Sequence, residues 1–338
     1  MAKALEIEGL NCHAQALCGI RLVLLTRLEE MCARRSEALD WSDIEGVHDM
    51  RVASRRLRSA LRDFKPYLRG KVRQKKLREV AHALGRVRDE DVAIKALEKL
   101  TEEAPEDISA GLNQIIDERR GQREKSREAL EEAISKTSID RLQEKLSAGF
   151  ERATRGRAVA VERANTHNSD GQSFRSAGRE IILKQLEEVL GLGVSLYRPF
   201  DVDSQHRLRI AAKRLRYAME LFYACWGKQL KPFSDEVEKM QGSLGDLHDC
   251  DVWIEGFGKR LTDGSEIREG TTPARLAVRA AAVWLLHHYK KERTRHYRHA
   301  LARWFEWEKT AFSARLVEAL SEDAEQSHEP RTAAATVS

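Results

Sequence analysis

The sequence predicts an all-α chain built as an internally duplicated four-helix unit. Three observations predict it. The six prolines, Pro66, Pro105, Pro199, Pro232, Pro273 and Pro330, leave long proline-free stretches and fall where helices would end. A composition of 33% charged and 41% hydrophobic residues, with 20 glycines in 338 positions, leaves little room for the many turns of a β-sandwich. Two unlike motifs each occur twice, in the same order and at nearly the same offset.

Apolar residues at spacings of three and four place helices at 12–40, 44–65, 70–101 and 108–160, within a first half covering 1–164. The polar, glycine-containing stretch 165–173 reads as a linker. A second half over 174–320 repeats the pattern, with helices at 174–198, 203–226, 231–262 and 274–320. Residues 321–338 lack periodicity and are expected to form a loose C-terminal tail. No apolar run reaches about 18 residues and the N-terminus lacks a basic-then-apolar layout, so a soluble, cytoplasmic chain with no membrane contact is expected. The cysteines, Cys12, Cys18, Cys32, Cys225 and Cys250, are odd in number and never in C-x-x-C form. They are expected to be reduced and mostly buried rather than disulfide-linked or zinc-bound.

The first repeated motif runs from Val47 to Arg58 and again from Gln205 to Arg216, an offset of 158. Both copies read His, two residues, Arg, three residues, two basic residues, Leu, Arg. The second runs from Leu84 to Val92 and from Leu244 to Val252, an offset of 160, with L-G-x-x-x-D-x-D-V in both. On a helix, His48, Arg51, Arg55, Arg58 and Arg62 fall within about 80° of arc, opposite Met50, Leu57, Leu61 and Phe64. His206, Arg209, Lys213 and Arg216 repeat the stripe opposite Leu208, Leu215, Met219 and Phe222. The net charge of the whole chain is +5, but residues 47–78 alone carry +10, leaving −5 for the rest. Like charges along one helix face repel, so such a stripe needs either the protein's own carboxylates or an anionic ligand. Its placement at the same point of both halves favours a ligand, and a shared basic cleft between the halves is the expectation.

Arginine suits an anion because its planar fork makes paired, charge-assisted bonds to phosphate oxygens, and a histidine adds a donor. Further cations pair up on the last helices, Arg119, Arg120 and Arg127 with Lys290, Lys291 and Arg298. Metal ligation by His48 or His206 is disfavoured, since Arg51, Val52, Arg209 and Ile210 stand at i+3 and i+4. Asp89 with Asp91, and Asp249 with Asp251, sit two apart and diverge on a helix, so they are read as structural groups that orient neighbouring arginines. Arg88 and His248 occupy matched places in the second motif and are weaker ligand candidates.

The doubled H-x-x-R-x-x-x-[RK]-[RK]-L-R, each copy followed by L-G-x-x-x-D-x-D-V, resembles the CHAD domain, the conserved histidine α-helical domain, over roughly 12–320. The resemblance implies two four-helix bundles around a pseudo-twofold axis and a central basic surface or pore that binds inorganic polyphosphate. It makes His48, Arg51, Arg55, Arg56 and Arg58, with His206, Arg209, Lys213, Arg214 and Arg216, the anion-contacting set. Arg62, Arg120, Arg127, Lys291 and Arg298 extend that set on charge alone. Some members carry a CYTH domain with an E-x-E-x-K signature; here Glu6 and Glu8 are followed by Leu10, so a stand-alone domain is expected. Gln205 departs from the pattern, standing where Val47 precedes the first histidine. The resulting expectation is non-enzymatic polyphosphate binding without cofactor or metal, with association to polyphosphate granules. The rival readings are a nucleic-acid backbone binder, a metal-dependent phosphatase using the paired aspartates, and an interaction scaffold. Nucleic acid is disfavoured because the stripes hold no stacking aromatics: Phe64 and Tyr217 turn toward core faces, and Trp284, Tyr289, Tyr297, Trp304 and Trp307 belong to the final helix.

Overall fold

The computed structural model describes residues 5–155, 172–263 and 272–321. Among them it forms twelve α-helices: α1 (Ala16–Ala33), α2 (Arg35–Ala38), α3 (Ile44–Asp63), α4 (Lys75–Thr101), α5 (Glu106–Ala133), α6 (Lys136–Thr154), α7 (Phe174–Gly193), α8 (Val202–Leu221), α9 (Tyr223–Trp226), α10 (Lys231–Asp263), α11 (Pro273–Lys309) and α12 (Phe312–Ser321). The two helices bearing the basic motifs start alike. The Asp43 carboxylate accepts from the Glu45 amide ahead of α3, and the Asp201 carboxylate accepts from the Ser204 amide ahead of α8. Each bond satisfies a backbone donor that a helix start leaves open.

Four expected helices are broken, the run 203–226 dividing at Phe222 between α8 and α9. The run 12–40 divides at Arg34, 108–160 at Ile134 and Ser135, and 274–320 at Thr310 and Ala311. Ser135 is extended, and Ala311 turns left-handed at φ 48°, where the Arg315 guanidinium donates to the Thr310 carbonyl. Neither break carries the proline or glycine that would have marked it in sequence. Of the expected linker, only Gln172 and Ser173 are described; they run antiparallel to Ala14–Ala16, with Ala16 donating to Gln172 and Phe174 to Ala14. Apart from Ser321, the expected tail lies outside the described residues.

Helices pack in the same order in both halves, α1 on α3, α3 on α4 and α4 on α5, then α7 on α8, α8 on α10 and α10 on α11. The halves meet along α1 with α7, α3 with α8, and α5 with α11. The apolar interior ignores the boundary between them. One core gathers α1, α3, α6, α7, α8 and α12 with the N-terminal parts of α4 and α10 and the C-terminal ends of α5 and α11, and a second gathers the far ends of α4 and α10 with the N-terminal parts of α5 and α11. At the seam Phe64, Phe174 and Phe222, all fully buried, form a triangle with centroids 4.9 to 6.2 Å apart. Gly19 and Gly178 make room for it, because a Cβ on Gly19 would overlap the Phe174 ring and one on Gly178 the Phe222 ring.

The cysteine expectation is corrected. Cys12 and Cys225 form a disulfide, with Cα atoms 5.5 Å apart across 213 residues of sequence. Cys18 is exposed, Cys32 half-buried and Cys250 buried; burial pushes the Cys32 thiol up to about 11 and the Cys250 thiol up to about 12. A covalent link closing so long a loop stabilises by about 2–4 kcal/mol. Reduction is therefore expected to lower the calorimetric unfolding midpoint by about 5 °C, with no added effect in Cys225→Ser; an unchanged midpoint would mean the two sulfurs are not joined. No helix among the described residues is long and apolar enough to cross a membrane.

Candidate anion-binding cleft

The exposed side of α3 faces α4 and α8 across a cleft of about 840 Å³. Arg51, Arg55, Arg58 and Arg62 enter it from α3, Arg78, His82 and Arg86 from α4, and Lys213 and Arg214 from α8. Eight side chains of Lys or Arg thus line a space in which Asp89 is the one carboxylate. The 3.6-residue period explains the alignment: on α4 the spacing of four puts Arg78, His82 and Arg86 in a row, opposite the buried Leu77, Leu84 and Val87.

Some of these cations are held by the protein. Arg51 donates to Asp89 at 3.0 Å, Arg62 to Asp63 at 3.0 Å, and Arg214 to Glu188 at 2.6 Å. Arg55 donates to the Tyr217 hydroxyl at 3.3 Å. Among the described residues Arg55, Arg58, Arg78, Arg86 and Lys213 have no carboxylate within ion-pair distance. Burial, then Arg55, Arg209 and Arg51, bring the Lys213 ammonium down to about 7. Burial also lowers Arg51, Arg58 and Arg209, which remain cationic because a guanidinium starts so high.

The two motif histidines do not line the cleft, and burial lowers both below their ordinary value. Burial and the nearby Arg88 hold His48 below its ordinary value. His206 faces His248 with Nδ1 atoms 3.1 Å apart, a pairing in which only one nitrogen carries a proton. Burial and Arg209 bring His248 down to about 4. His48 also gathers with Glu45 and Asp49, the ligand atoms of all three lying within 4.8 Å of one another. Glu45 stands at i−3 and Asp49 at i+1 from His48, not at the i+3 and i+4 positions that Arg51 and Val52 occupy. Both carboxylates already meet cations, Glu45 with Arg88 at 3.5 Å and Asp49 with Arg34 at 3.7 Å.

The family model of the CHAD domain matches residues 22–257, a span that holds every side chain lining the cleft. The chain belongs to the CHAD domain family. The crystal structure of the CHAD domain from the plant Ricinus communis superposes with a TM-score of 0.69 at 23% identity, covering 89% of this chain and 95% of that one, a likeness of fold. No curated protein matches the sequence.

Several of the sequence-derived candidates lie off the cleft of this CHAD domain. Arg56 and Arg216 are buried in a network at the junction of α3 and α8, where Arg56 meets Glu220 and Glu30, and Arg216 donates to Gln241 at 2.6 Å and lies over Tyr217. Their charge is spent on the protein's own acids. Arg209 packs beside Gly245 as Arg51 packs beside Gly85, each Nε about 4 Å from where a Cβ would stand. Arg119 pairs with Glu90, Arg120 with Glu98 and Asp117, and Arg127 with Glu124 while lying over Trp41. Arg88 pairs with Glu45; Lys290, Lys291 and Arg298 are exposed on α11. The shared cleft therefore excludes all the α5 and α11 cations. The aspartates hold arginines: Asp89 meets Arg51, Asp91 meets Arg123 at 3.7 Å, and Asp251 meets Arg293 at 2.5 Å. Asp249 lies in the field of Arg209, and burial raises its carboxyl. Sequence reasoning missed His82 and Arg86 and left Arg78 as part of a charge count. Their spacing of four on α4 was the available signal.

Proposed function

We propose that this CHAD domain binds inorganic polyphosphate without turning it over, holding the chain in the cleft between α3, α4 and α8. The observation that carries the reading is the imbalance of that cleft, eight Lys or Arg against one carboxylate, with five of the eight having no carboxylate partner among the described residues. An anion with a charge on every repeat unit satisfies them together, and guanidinium forks suit its oxygens. Association with polyphosphate granules is proposed on the same affinity.

Polyphosphate binding is expected to weaken steeply with salt, with a log–log slope of roughly −4 to −6 if about six phosphates are neutralised. Long chains should bind far more tightly than tripolyphosphate, and orthophosphate hardly at all, because contacts along one chain reinforce one another. Calorimetric titration of the three ligands at two salt concentrations checks both expectations. Absence of binding to long-chain polyphosphate at low salt would end the reading. Against a nucleic-acid role, Tyr217 is the one aromatic ring other than His82 at the cleft, and it is buried with its hydroxyl engaged by Arg55. Competition by DNA and RNA tests that alternative. Phosphate release in the presence of Mg²⁺ would support a phosphatase; of its proposed aspartates, Asp89, Asp91 and Asp251 are here paired with arginines.

A further inference from the structure

The duplicated helices can be compared face by face, because their buried positions keep register. At an offset of 160, Leu77, Val80, Leu84 and Val87 of α4 correspond to Val237, Met240, Leu244 and Leu247 of α10, all 0 or 1% exposed. The exposed row between them must then correspond as well. Where α4 carries Arg78, His82 and Arg86, α10 carries Glu238, Gly242 and Asp246, exposed in both helices. The offset of 158 on α3 and α8 keeps register equally, with Met50, Leu57, Leu61 and Phe64 matching Leu208, Leu215, Met219 and Phe222 in the core. There Arg62 corresponds to Glu220. Arg58, exposed in the cleft, corresponds to Arg216, which is buried beside Glu220 and bonded to Gln241.

Three positions that are arginine on the first-half side are thus carboxylate on the second-half side, and a fourth cation is withdrawn into the interior. The cleft follows the charge: it is lined from α3, α4 and α8 and by no residue of α10. A polyanion meets attraction along α4 and repulsion at the equivalent face of α10. Building on the polyphosphate reading, we propose that the anion site of this chain is one-sided. The polyphosphate lies along α3 and α4, crosses to the second half only as far as Lys213 and Arg214, and is turned back by Glu238 and Asp246. Motif symmetry overstates the site; positions between the motifs, and those the second motif leaves variable, set its extent.

The test uses size-fractionated polyphosphates against four full-length proteins: wild type, Arg78→Glu/Arg86→Glu, Glu238→Arg/Asp246→Arg, and Glu103→Arg/Glu144→Arg. The last makes the same charge change as the third at exposed positions away from the cleft. Reversal on α4 is expected to weaken every ligand, by about 100-fold for long chains. Reversal on α10 should leave tripolyphosphate unchanged. It should tighten long chains about 10-fold beyond the Glu103→Arg/Glu144→Arg control, moving the length at which affinity stops rising to longer chains. If α4 reversal is harmless, or if the α10 variant matches the control or shares the wild-type length plateau, the one-sided site is wrong. In that case wild-type binding keeps the polyphosphate reading intact. Failure of the wild type to bind any polyphosphate overturns that reading and the inference built on it. All six substituted side chains are exposed, and melting curves verify that each protein is folded.

Discussion

The double variant Arg55→Glu/Lys213→Glu is expected to lose polyphosphate binding while keeping its helix content. The two residues face each other where α3 meets α8, Arg55 bonding to Tyr217 and Lys213 sharing the field of Arg55, Arg209 and Arg51. Two reversals remove two attractive contacts and add two repulsive ones, an effect on the order of 1,000-fold at physiological salt. The fold has reason to survive, since a carboxylate at either place finds Arg51 and Arg209 within reach of its field. Calorimetry with long-chain polyphosphate, alongside far-ultraviolet circular dichroism, reads both halves of the expectation. Affinity retained within threefold in a folded variant would mean that the α3 and α8 stripes do not hold the ligand.

Lys213→Met is expected to stabilise the ligand-free protein and to weaken its binding, a trade that separates function from stability at one residue. Burial among guanidinium groups brings Lys213 from its ordinary 10.5 to about 7, so the ammonium is disfavoured in the folded state. At pH 7 the substitution should relieve on the order of 2–4 kcal/mol. Unfolding restores the ordinary value and takes up a proton between about pH 7 and 10.5. Wild-type stability therefore gains from this group as pH rises through that window. Below about pH 7 the amine is charged in both states and its slope vanishes. A bound polyanion reverses the balance by favouring the ammonium. Binding should then draw in a proton above pH 7, and affinity should fall as pH rises beyond about 7 while levelling off below it. Titrations in buffers of different ionisation enthalpy, and melting curves across pH for wild type and Lys213→Met, measure both. Superimposable pH profiles for the two proteins would show that Lys213 carries its charge unperturbed.

Helix periodicity made much of this legible in sequence. The arc that holds Arg51, Arg55, Arg58 and Arg62 opposite Met50, Leu57 and Phe64 is a property of α3 alone, and it sets which side chains reach the cleft. What one helix cannot reveal is which acids its neighbours bring. Arg56 and Arg216 look like ligand contacts until Glu30, Glu220 and Gln241 arrive from other helices. Arg78 and Arg86 are overlooked for the converse reason, since Arg78 lies outside the repeated motifs and Arg86 at a position the second motif leaves variable, and both gain meaning only when α4 is set beside α3. The Cys12–Cys225 link depends on the long-range meeting of an N-terminal segment with α9, which no local spacing announces. The breaks at Ser135 and Ala311 occur in residues whose backbone preferences permit a helix, so tertiary packing decides them.

The Phe64, Phe174 and Phe222 triangle draws its rings from both halves of the chain, as do the two cores around and beyond it. Excising either half would strip an apolar seam of its cover and expose it to water. The molecule is thus better regarded as a dimer fused into one polypeptide than as two independent modules in series. Its melting should be a single cooperative event, and neither fragment should be soluble without the other.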